Sequence, residues 1–545
     1  MKGKTAVAKI LKMEGIEFAT GFPHNPIIEA LAEESIRFIK ARTERVGMNI
    51  ADGFTRASNG KRTGVCIVQH GPGTENAFSG VAQAFADSVP VLVLPGGFWR
   101  HQLAPPNFMA VKNYQEITKW VDMVNFADRV PEMMRRAFSY LRMGRPGPIM
   151  LEVPLDVLEE EFDDTLFQYK PVKTVKTAGD PSDVREVAKA LIAAKNPVIR
   201  AGNGVLYASA WDELRELAEL LQIPVFTTMQ GKSAFPENHP LSLGTGGLTR
   251  PKMVMHFLKK ADLVFAIGSS CTKEMFTTPI PAGKVIMQST IDERDINKDY
   301  SIEHAIIGDA KLVLGQLIDE VKQQIGPESR KGKVAVAKEI KAVKVEWLKE
   351  WMPKLTSNEV PINPYRVIWD IMQVLDRKET IITHDSGNPR DQMVPFYECI
   401  IPGGYIGWGK TTTLGAGLGF AMGAKLARPD KTVVNVMGDA AFGMVGMDFE
   451  TAVRERIPIM TILLNNSKLG GYSERYPIAS ERYNLNRLSG DYAKVAEGLG
   501  GYAEKVKQPP DIIPALQRAK KAVDAGQPAL VEIITREELA FSKYE

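Results

Sequence analysis

The sharpest chemical signal in this chain of 545 residues is a pair of oxygen-bearing side chains, Asp439 and Asn466, 27 positions apart. Asp439 stands in Val433-Val-Asn-Val-Met-Gly-Asp-Ala-Ala-Phe-Gly443, and Asn466 in Leu464-Asn-Asn-Ser-Lys468. A strand that ends in Gly-Asp and small residues brings a carboxylate and free backbone N–H groups to the start of a helix, which suits a hydrated cation beside a phosphate. A second strand ending at Asn466 puts both side chains on one sheet edge. Asp439, Asn466 and the backbone carbonyl near Lys468 would supply hard oxygen ligands, leaving diphosphate oxygens and water to complete an octahedron that favours magnesium over zinc. Taken singly, each is also an ordinary Gly-Asp or Asn-Asn turn.

Thr383-His-Asp-Ser-Gly-Asn-Pro-Arg390 ends another strand in a small polar loop, where Ser386, Gly387 and Asn388 could meet phosphate oxygens or form a plain surface turn. Gly415-Ala-Gly-Leu-Gly419 has a dinucleotide-fingerprint composition. It follows no clear strand, however, and the acidic residue about 20 positions on belongs to the Gly-Asp motif. Glu44 begins a helical pattern, where a glutamate on pattern alone is a partner of the helix dipole.

In order and spacing, Gly438-Asp439 through Asn465-Asn466 resembles the signature of thiamine-diphosphate enzymes, specifically the acetolactate synthase, 2-hydroxyacyl-CoA lyase and oxalyl-CoA decarboxylase group. The resemblance implies thiamine diphosphate and magnesium as cofactors. It places Gly438, Ala440, Ala441, Leu469 and Gly470 around the diphosphate, and Leu414 beneath the bent cofactor. Glu44 to Ala57, with Gly64-Val-Cys-Ile-Val-Gln-His-Gly-Pro-Gly-Thr-Glu-Asn76, resembles the pyrimidine-binding domain of these families. By that resemblance Glu44 hydrogen-bonds the aminopyrimidine so that the ring proton can be removed, and Gly73 lies against the pyrimidine. His70 stands where the pattern has Ser or Thr, so it faces substrate or else packs its loop. His24, in Gly21-Phe-Pro-His-Asn-Pro26, should lie near the reacting carbon. Gln115, in Tyr114-Gln-Glu116, resembles a residue that reaches the active site from a partner chain and donates to a developing alkoxide; otherwise it is a polar loop residue.

The usual third residue of the signature is Gly, and here it is Ala440. Gly-Asp-Ala-Ala-Phe-Gly is similar to the Gly-Asp-Ser-Ala-Phe-Gly variant of the CoA-dependent members. The expected activity is therefore a 2-hydroxyacyl-CoA lyase, which splits an acyl-CoA substrate into formyl-CoA and an aldehyde or ketone, or joins them. The alternatives are an acetolactate-synthase-like carboligase or 2-oxoacid decarboxylase acting on pyruvate, and, from another class, a non-catalytic nucleotide-binding scaffold. Gly202-Asn-Gly204 and Gly231 to Gly244 resemble the family's central domain, which holds FAD, ADP or nothing, and Asp292 could grip a ribose. In this superfamily the pyrimidine-binding domain of one chain meets the diphosphate-binding domain of another, which implies a homodimer or homotetramer.

These residues need a scaffold of parallel sheets. Short apolar runs, among them Gly64–Val68, Val89–Leu94, Pro197–Arg200, Leu263–Ile267, Thr432–Met437 and Ile459–Leu464, alternate with helical patterns, so the class is α/β. A chain this long exceeds one hydrophobic core. Polar stretches at about 164–181 and 345–362 divide it into three consecutive parallel-sheet domains: pyrimidine-binding (1–165), central (182–344) and diphosphate-binding (360–545).

The composition is ordinary, 44% apolar and 24% charged, with 68 basic against 65 acidic residues. The one dense basic run, Arg330 to Lys344, alternates with Ala and Val and reads as a solvated helix face, so a nucleic-acid partner is not expected. Cys66, Cys271 and Cys399 lack metal-ligand spacing and read as buried thiols in a reducing compartment. With neither a signal-like apolar core nor a membrane-length run, the expectation is a cytoplasmic protein without a membrane partner.

Overall fold

The computed structural model describes residues 1–326 and 334–545 and contains three six-stranded sheets, parallel throughout. The first is built from β1 (Phe18–Gly21), β2 (Arg37–Lys40), β3 (Gly64–Val68), β4 (Val91–Gly97), β5 (Trp120–Met123) and β6 (Ile149–Pro154). The second holds β7 (Pro197–Ala201), β8 (Val225–Thr228), β9 (Ser242–Gly246), β10 (Leu263–Ile267), β11 (Val285–Thr290) and β12 (His304–Ile307). The third holds β13 (Thr380–His384), β14 (Tyr405–Ile406), β15 (Thr432–Gly438), β16 (Met460–Asn465), β17 (Tyr502–Val506) and β18 (Ala529–Ile534).

The first and third sheets share one strand order, β2-β1-β3-β4-β6-β5 and β14-β13-β15-β16-β18-β17. The middle one runs β12-β11-β10-β7-β8-β9, the doubly wound order whose direction reverses between β7 and β10. Helices cover both faces, which is why strands such as β3, β4 and β10 are apolar and buried along their whole length.

Six helices position the functional loops: α1 (Glu44–Ala57), α2 (Pro72–Ala86), α3 (Val334–Leu355), α4 (Asn388–Phe396), α5 (Ala416–Ala427) and α6 (Asp439–Val445). The first and third domains are joined by α1 against α5, whose backbones touch because glycines face each other. A Cβ on Gly53 would sit 2.4 Å from the Phe420 carbonyl oxygen, and one on Gly423 would sit 2.1 Å from that of Ile50. Arg56 completes the joint, paired with buried Asp52 and Asp87 and laid over the Phe420 ring.

The stretch at 345–362 is not the polar linker its composition suggested. Most of it is the second half of α3, whose Val343, Trp347, Trp351 and Leu355 recur every four residues and are buried. Trp347 stacks on Phe396 at 4.9 Å, and Trp351 meets Tyr365 edge-on, so this helix ties the middle domain to the third. The first four residues of the basic run, 330–333, lie outside the described residues; beyond them Lys338 and Lys341 are exposed while Ile340 and Val343 are buried. The stretch at 164–181 is a single 3-10 turn followed by chain without regular structure as far as the helix Pro181–Ala193. All three cysteines are buried and free. Among the described residues no helix is long and apolar enough to cross a membrane.

After β18 the chain does not hang free. Residues 535–545 run as a strap back to the middle domain, where Ser542 exchanges hydrogen bonds with the Arg250 backbone and accepts one from the Trp347 indole.

Candidate active site

The carboxyl ends of β13, β15 and β16 are neighbours in the third sheet, and the three loops that leave them converge. From β13 come Asp385, Ser386 and Gly387, the last with a left-handed φ of +81° that turns the chain into α4. Space above Gly387 is open, and the start of α4 carries no side-chain cap, so its first N–H groups are free for an anion. From β15 come Gly438, against Pro389, and then Asp439, Ala440 and Ala441 in the first turn of α6. From β16 comes the loop Asn466 to Gly470. Its Gly470 lies so close to Asn388 that a Cβ there would meet the Asn388 amide at 2.6 Å.

Asp385, which sequence reasoning passed over, fastens the cradle. Its carboxylate is fully buried and accepts N–H bonds from Ser386 (2.7 Å), Gly415 (2.9 Å) and Gly417 (2.9 Å), joining the β13 loop to the start of α5. Burial pushes its carboxyl up to about 6 in spite of those donors and the nearby Arg45 charge. Leu414 precedes Gly415 and packs on the α1–α5 core. Ser386 donates its hydroxyl to the Thr412 carbonyl, and Thr411 donates to Gln83 on α2, so this loop is held from both domains. The sequence signal for Asp385 was an acid at the end of an apolar strand, directly before a Ser-Gly turn.

The test of a cation site lies at Asp439. The residue is 3% exposed; one carboxylate oxygen accepts the Ala440 N–H at 3.0 Å, while Oδ2 is buried with no hydrogen-bond partner. Burial raises its carboxyl to about 6. An orphaned buried carboxylate oxygen is costly unless a cation completes it. The two asparagines divide the remaining work. Asn465 is buried, bonded to Glu532 and to Ser467, and shapes the loop; Asn466 is less buried, and its Oδ1 accepts the Lys468 N–H. Among the described residues no group of three or more His, Cys, Asp or Glu side chains could hold an ion, so a cation here would rest on Asp439, the Asn466 amide oxygen, a loop carbonyl and its own anionic ligand.

Three domain models match in this order: the N-terminal thiamine pyrophosphate (TPP) binding domain of TPP enzymes over residues 1–118, the central domain over 184–317, and the C-terminal TPP binding domain over 385–533. A probable acetolactate synthase large subunit of Methanocaldococcus jannaschii is 33% identical over 98% of this chain and 92% of its own length. The chain belongs to the thiamine pyrophosphate enzyme family. A second probable acetolactate synthase large subunit, from Methanococcus aeolicus, is 32% identical, and a glyoxylate carboligase of Escherichia coli O157:H7 is 31% identical, each over 98% of this chain and at least 92% of the relative. Thiamine diphosphate is thus the cofactor of the family, and the C-terminal TPP binding domain match, residues 385–533, spans the three loops described above.

Candidates in the first domain fall into three places. Glu44 opens α1 behind the N-cap Thr43, is 6% exposed, and accepts a hydrogen bond from Asn76 of α2 at 3.2 Å. Its neighbour Arg45 turns toward the third domain, near Asp385 and Gly415. His24 and His70 leave the ends of adjacent strands β1 and β3 and sit close enough for His24 to disfavour protonation of His70, whose pKa is lowered first by burial. The His70 ring meets Phe98 edge-on, and its Nδ1 is buried without a partner. Gly73, in the first turn of α2, packs on Gln69. Gln115 is exposed and lines a cavity of about 430 Å³ together with Met109, Met123, Met133 and Glu152. Glu44 and Gln115 enter neither the histidine pair nor the diphosphate cradle among the contacts within one chain.

In the middle domain a cleft of about 240 Å³ opens at the reversal of strand order, lined by Gly202 and Gly204 after β7 and Gly268 and Ser269 after β10. Arg145 of the first domain and Lys410 of the third also face it. Asp292 does not fit the ribose role expected of it. Both its oxygens are taken by the Arg294 guanidinium, at 2.9 and 2.8 Å, and Asp295 lines the cleft in its place.

Proposed function

We propose that this enzyme joins 2-oxo acids, releasing carbon dioxide from one and bonding the remaining acyl unit to the carbonyl carbon of a second. The observation that carries this reading is the orphaned Asp439 oxygen beside Asn466, on a crest whose full-length relatives include an acetolactate synthase and a glyoxylate carboligase. Bound thiamine diphosphate supplies a carbon nucleophile and a sink for the electron pair left by decarboxylation. Asp439, Asn466 and the Lys468 carbonyl hold magnesium; the N–H groups at Gly387–Asn388 and Ala440–Ala441 hold diphosphate oxygens; Leu414 supports the rings. Glu44 keeps a proton on the aminopyrimidine side, and burial against α2 fixes its carboxylate. His24 and His70 are placed to donate or accept a substrate proton, and burial, with His24 nearby, lowers the pKa of His70.

Glu44 and the cradle belong to a shared site between two copies, and Gln115 reaches it from the same side as Glu44, which makes a homodimer the smallest active unit and a homotetramer compatible. The cleft between β7 and β10 takes a nucleotide such as ADP or FAD.

Ala440 and the Gly-Asp-Ala-Ala-Phe-Gly run support a second reading, the 2-hydroxyacyl-CoA lyase. The protein, loaded with thiamine diphosphate and magnesium, should be incubated with pyruvate or glyoxylate and separately with 2-hydroxyacyl-CoA thioesters. The carboligase reading expects carbon dioxide and a new hydroxy-oxo acid from the first set. Turnover of the thioesters alone, giving formyl-CoA, replaces it with the lyase reading.

A further inference from the structure

The loop that carries Asn466 and Lys468 is gripped from outside the cradle. Glu537, on the C-terminal strap, accepts the Gly471 N–H at 2.9 Å through Oε1 and faces the Lys468 ammonium at 3.4 Å through Oε2. Leu539 lies over Gly471, whose φ of +76° turns the loop into the helix Tyr472–Arg475.

The backbone on either side of Glu537 is fixed. Thr535 N–H bonds the Asn465 carbonyl and Arg536 N–H that of Ile362. On the other side Glu538 is buried in contact with Lys354, Asn363 and the Ala540 N–H, while the Gln392 amide and the Tyr365 hydroxyl hold the carbonyls of Glu538 and Ala540. Beyond these, Ser542 and Tyr544 dock on Arg250, Trp347 and Trp351. The Glu537 carboxylate is therefore a preorganised acceptor, not a wandering surface charge.

We propose that Glu537 is a positioning residue of the metal loop, and that the strap it rides on sets how tightly the magnesium and diphosphate pair is held. Two physical effects act together. The bond to Gly471 N–H holds the loop in the turn that aims the Asn466 amide and the Lys468 carbonyl inward. The carboxylate also neutralises the Lys468 ammonium, which would otherwise repel a divalent cation held by that residue's own carbonyl. This inference rests on the reading of Asp439 and Asn466 as the cation site.

The test uses the full-length protein and follows thiamine diphosphate binding by tryptophan quenching at increasing magnesium, with amide hydrogen exchange of residues 467–472 in cofactor-free protein. Glu537→Ala should raise the magnesium concentration for half-saturation by about tenfold, the lower end for loss of an outer partner of a metal ligand, and speed exchange in the loop. Glu537→Gln keeps an acceptor for Gly471 and should cost only a few-fold. The double variant Glu537→Gln with Lys468→Met, which removes the uncompensated charge, should recover toward the wild type. Wild-type half-saturation and unchanged exchange in Glu537→Ala would overturn the proposal, as would a double variant no better than Glu537→Gln. If Glu537→Ala fails to fold, the comparison of the other two variants decides. Asp439→Asn run alongside keeps the failures apart: magnesium dependence that survives in it removes the cation site itself, whereas its loss there with Glu537 variants unaffected removes only the strap.

Discussion

The third and middle sheets each bring a carboxylate to the loops at their carboxyl ends, and the two domains treat theirs in opposite ways. Asp439 in the third is left with a buried, unpartnered oxygen. Asp292 and Asp295 in the middle are closed by Arg294, Arg145 and Lys298, at 2.8 to 3.1 Å for their shortest contacts. The same α/β scaffold thus leaves a carboxylate open to a cation where it withholds its own, and closes its carboxylates where it supplies them. The first domain offers a third case in Glu152. It is 4% exposed, accepts the Val111 N–H, and is pushed up to about 7 by burial, neither closed by a cation nor presented to one.

The contrast can be broken most decisively at Asp439. Replacing it by Ala should weaken magnesium-dependent thiamine diphosphate binding by about a hundredfold or more, measured by calorimetry; binding within a few-fold of wild type would erase the distinction between the two crests. Glu44→Gln should leave that affinity within a few-fold but lower turnover by roughly 10²- to 10⁴-fold, the usual worth of a positioned proton-transfer group; undiminished turnover would remove Glu44 from the proton path.

Asp295→Ala strips the partner from Arg145 and Lys298. It should cost up to about 3 kcal/mol in urea unfolding, with cofactor affinity at the third sheet unchanged. The smallest effect belongs to Glu152. Its folded pKa is raised, so its contribution to stability is full below the unfolded value near 4.5 and is lost as pH rises through about 7. Glu152→Gln should therefore gain melting temperature relative to wild type between pH 5 and 8, by a few degrees; a pH-independent difference would mean that the carboxyl does not titrate in this range.

The convergence of the loops proposed for the diphosphate was legible because their residues are tied to strand ends in local sequence. Gly-Asp after one apolar run and Asn-Asn after the next fix two adjacent loops, and the parallel sheet does the rest. Asp385 was less visible, since its work is to bond N–H groups thirty residues away. Glu537 was invisible, because nothing in Thr535-Arg-Glu-Glu-Leu announces that this stretch turns back over a loop seventy residues earlier. The misread linker at 345–362 has a plain cause: its Pro and Ser-Asn stretch drew attention from tryptophans at helical spacing. Substrate preference is equally diffuse, and the Ala440 variant and the full-length relatives point to different members of one family. A meeting of Glu44 with the cofactor across two copies, as proposed above, would leave no mark in one chain's local pattern.

The contact of α1 with α5 has a consequence for how such proteins can be rebuilt. Gly53, Gly419 and Gly423 let two helices about 370 residues apart in the chain touch backbone to backbone. A hybrid that takes its first domain from one parent and its third from another must therefore inherit both helices from the same source, or it will bring a methyl group where only hydrogen fits. For recombination, the two outer domains are a single heritable block interrupted by the middle one.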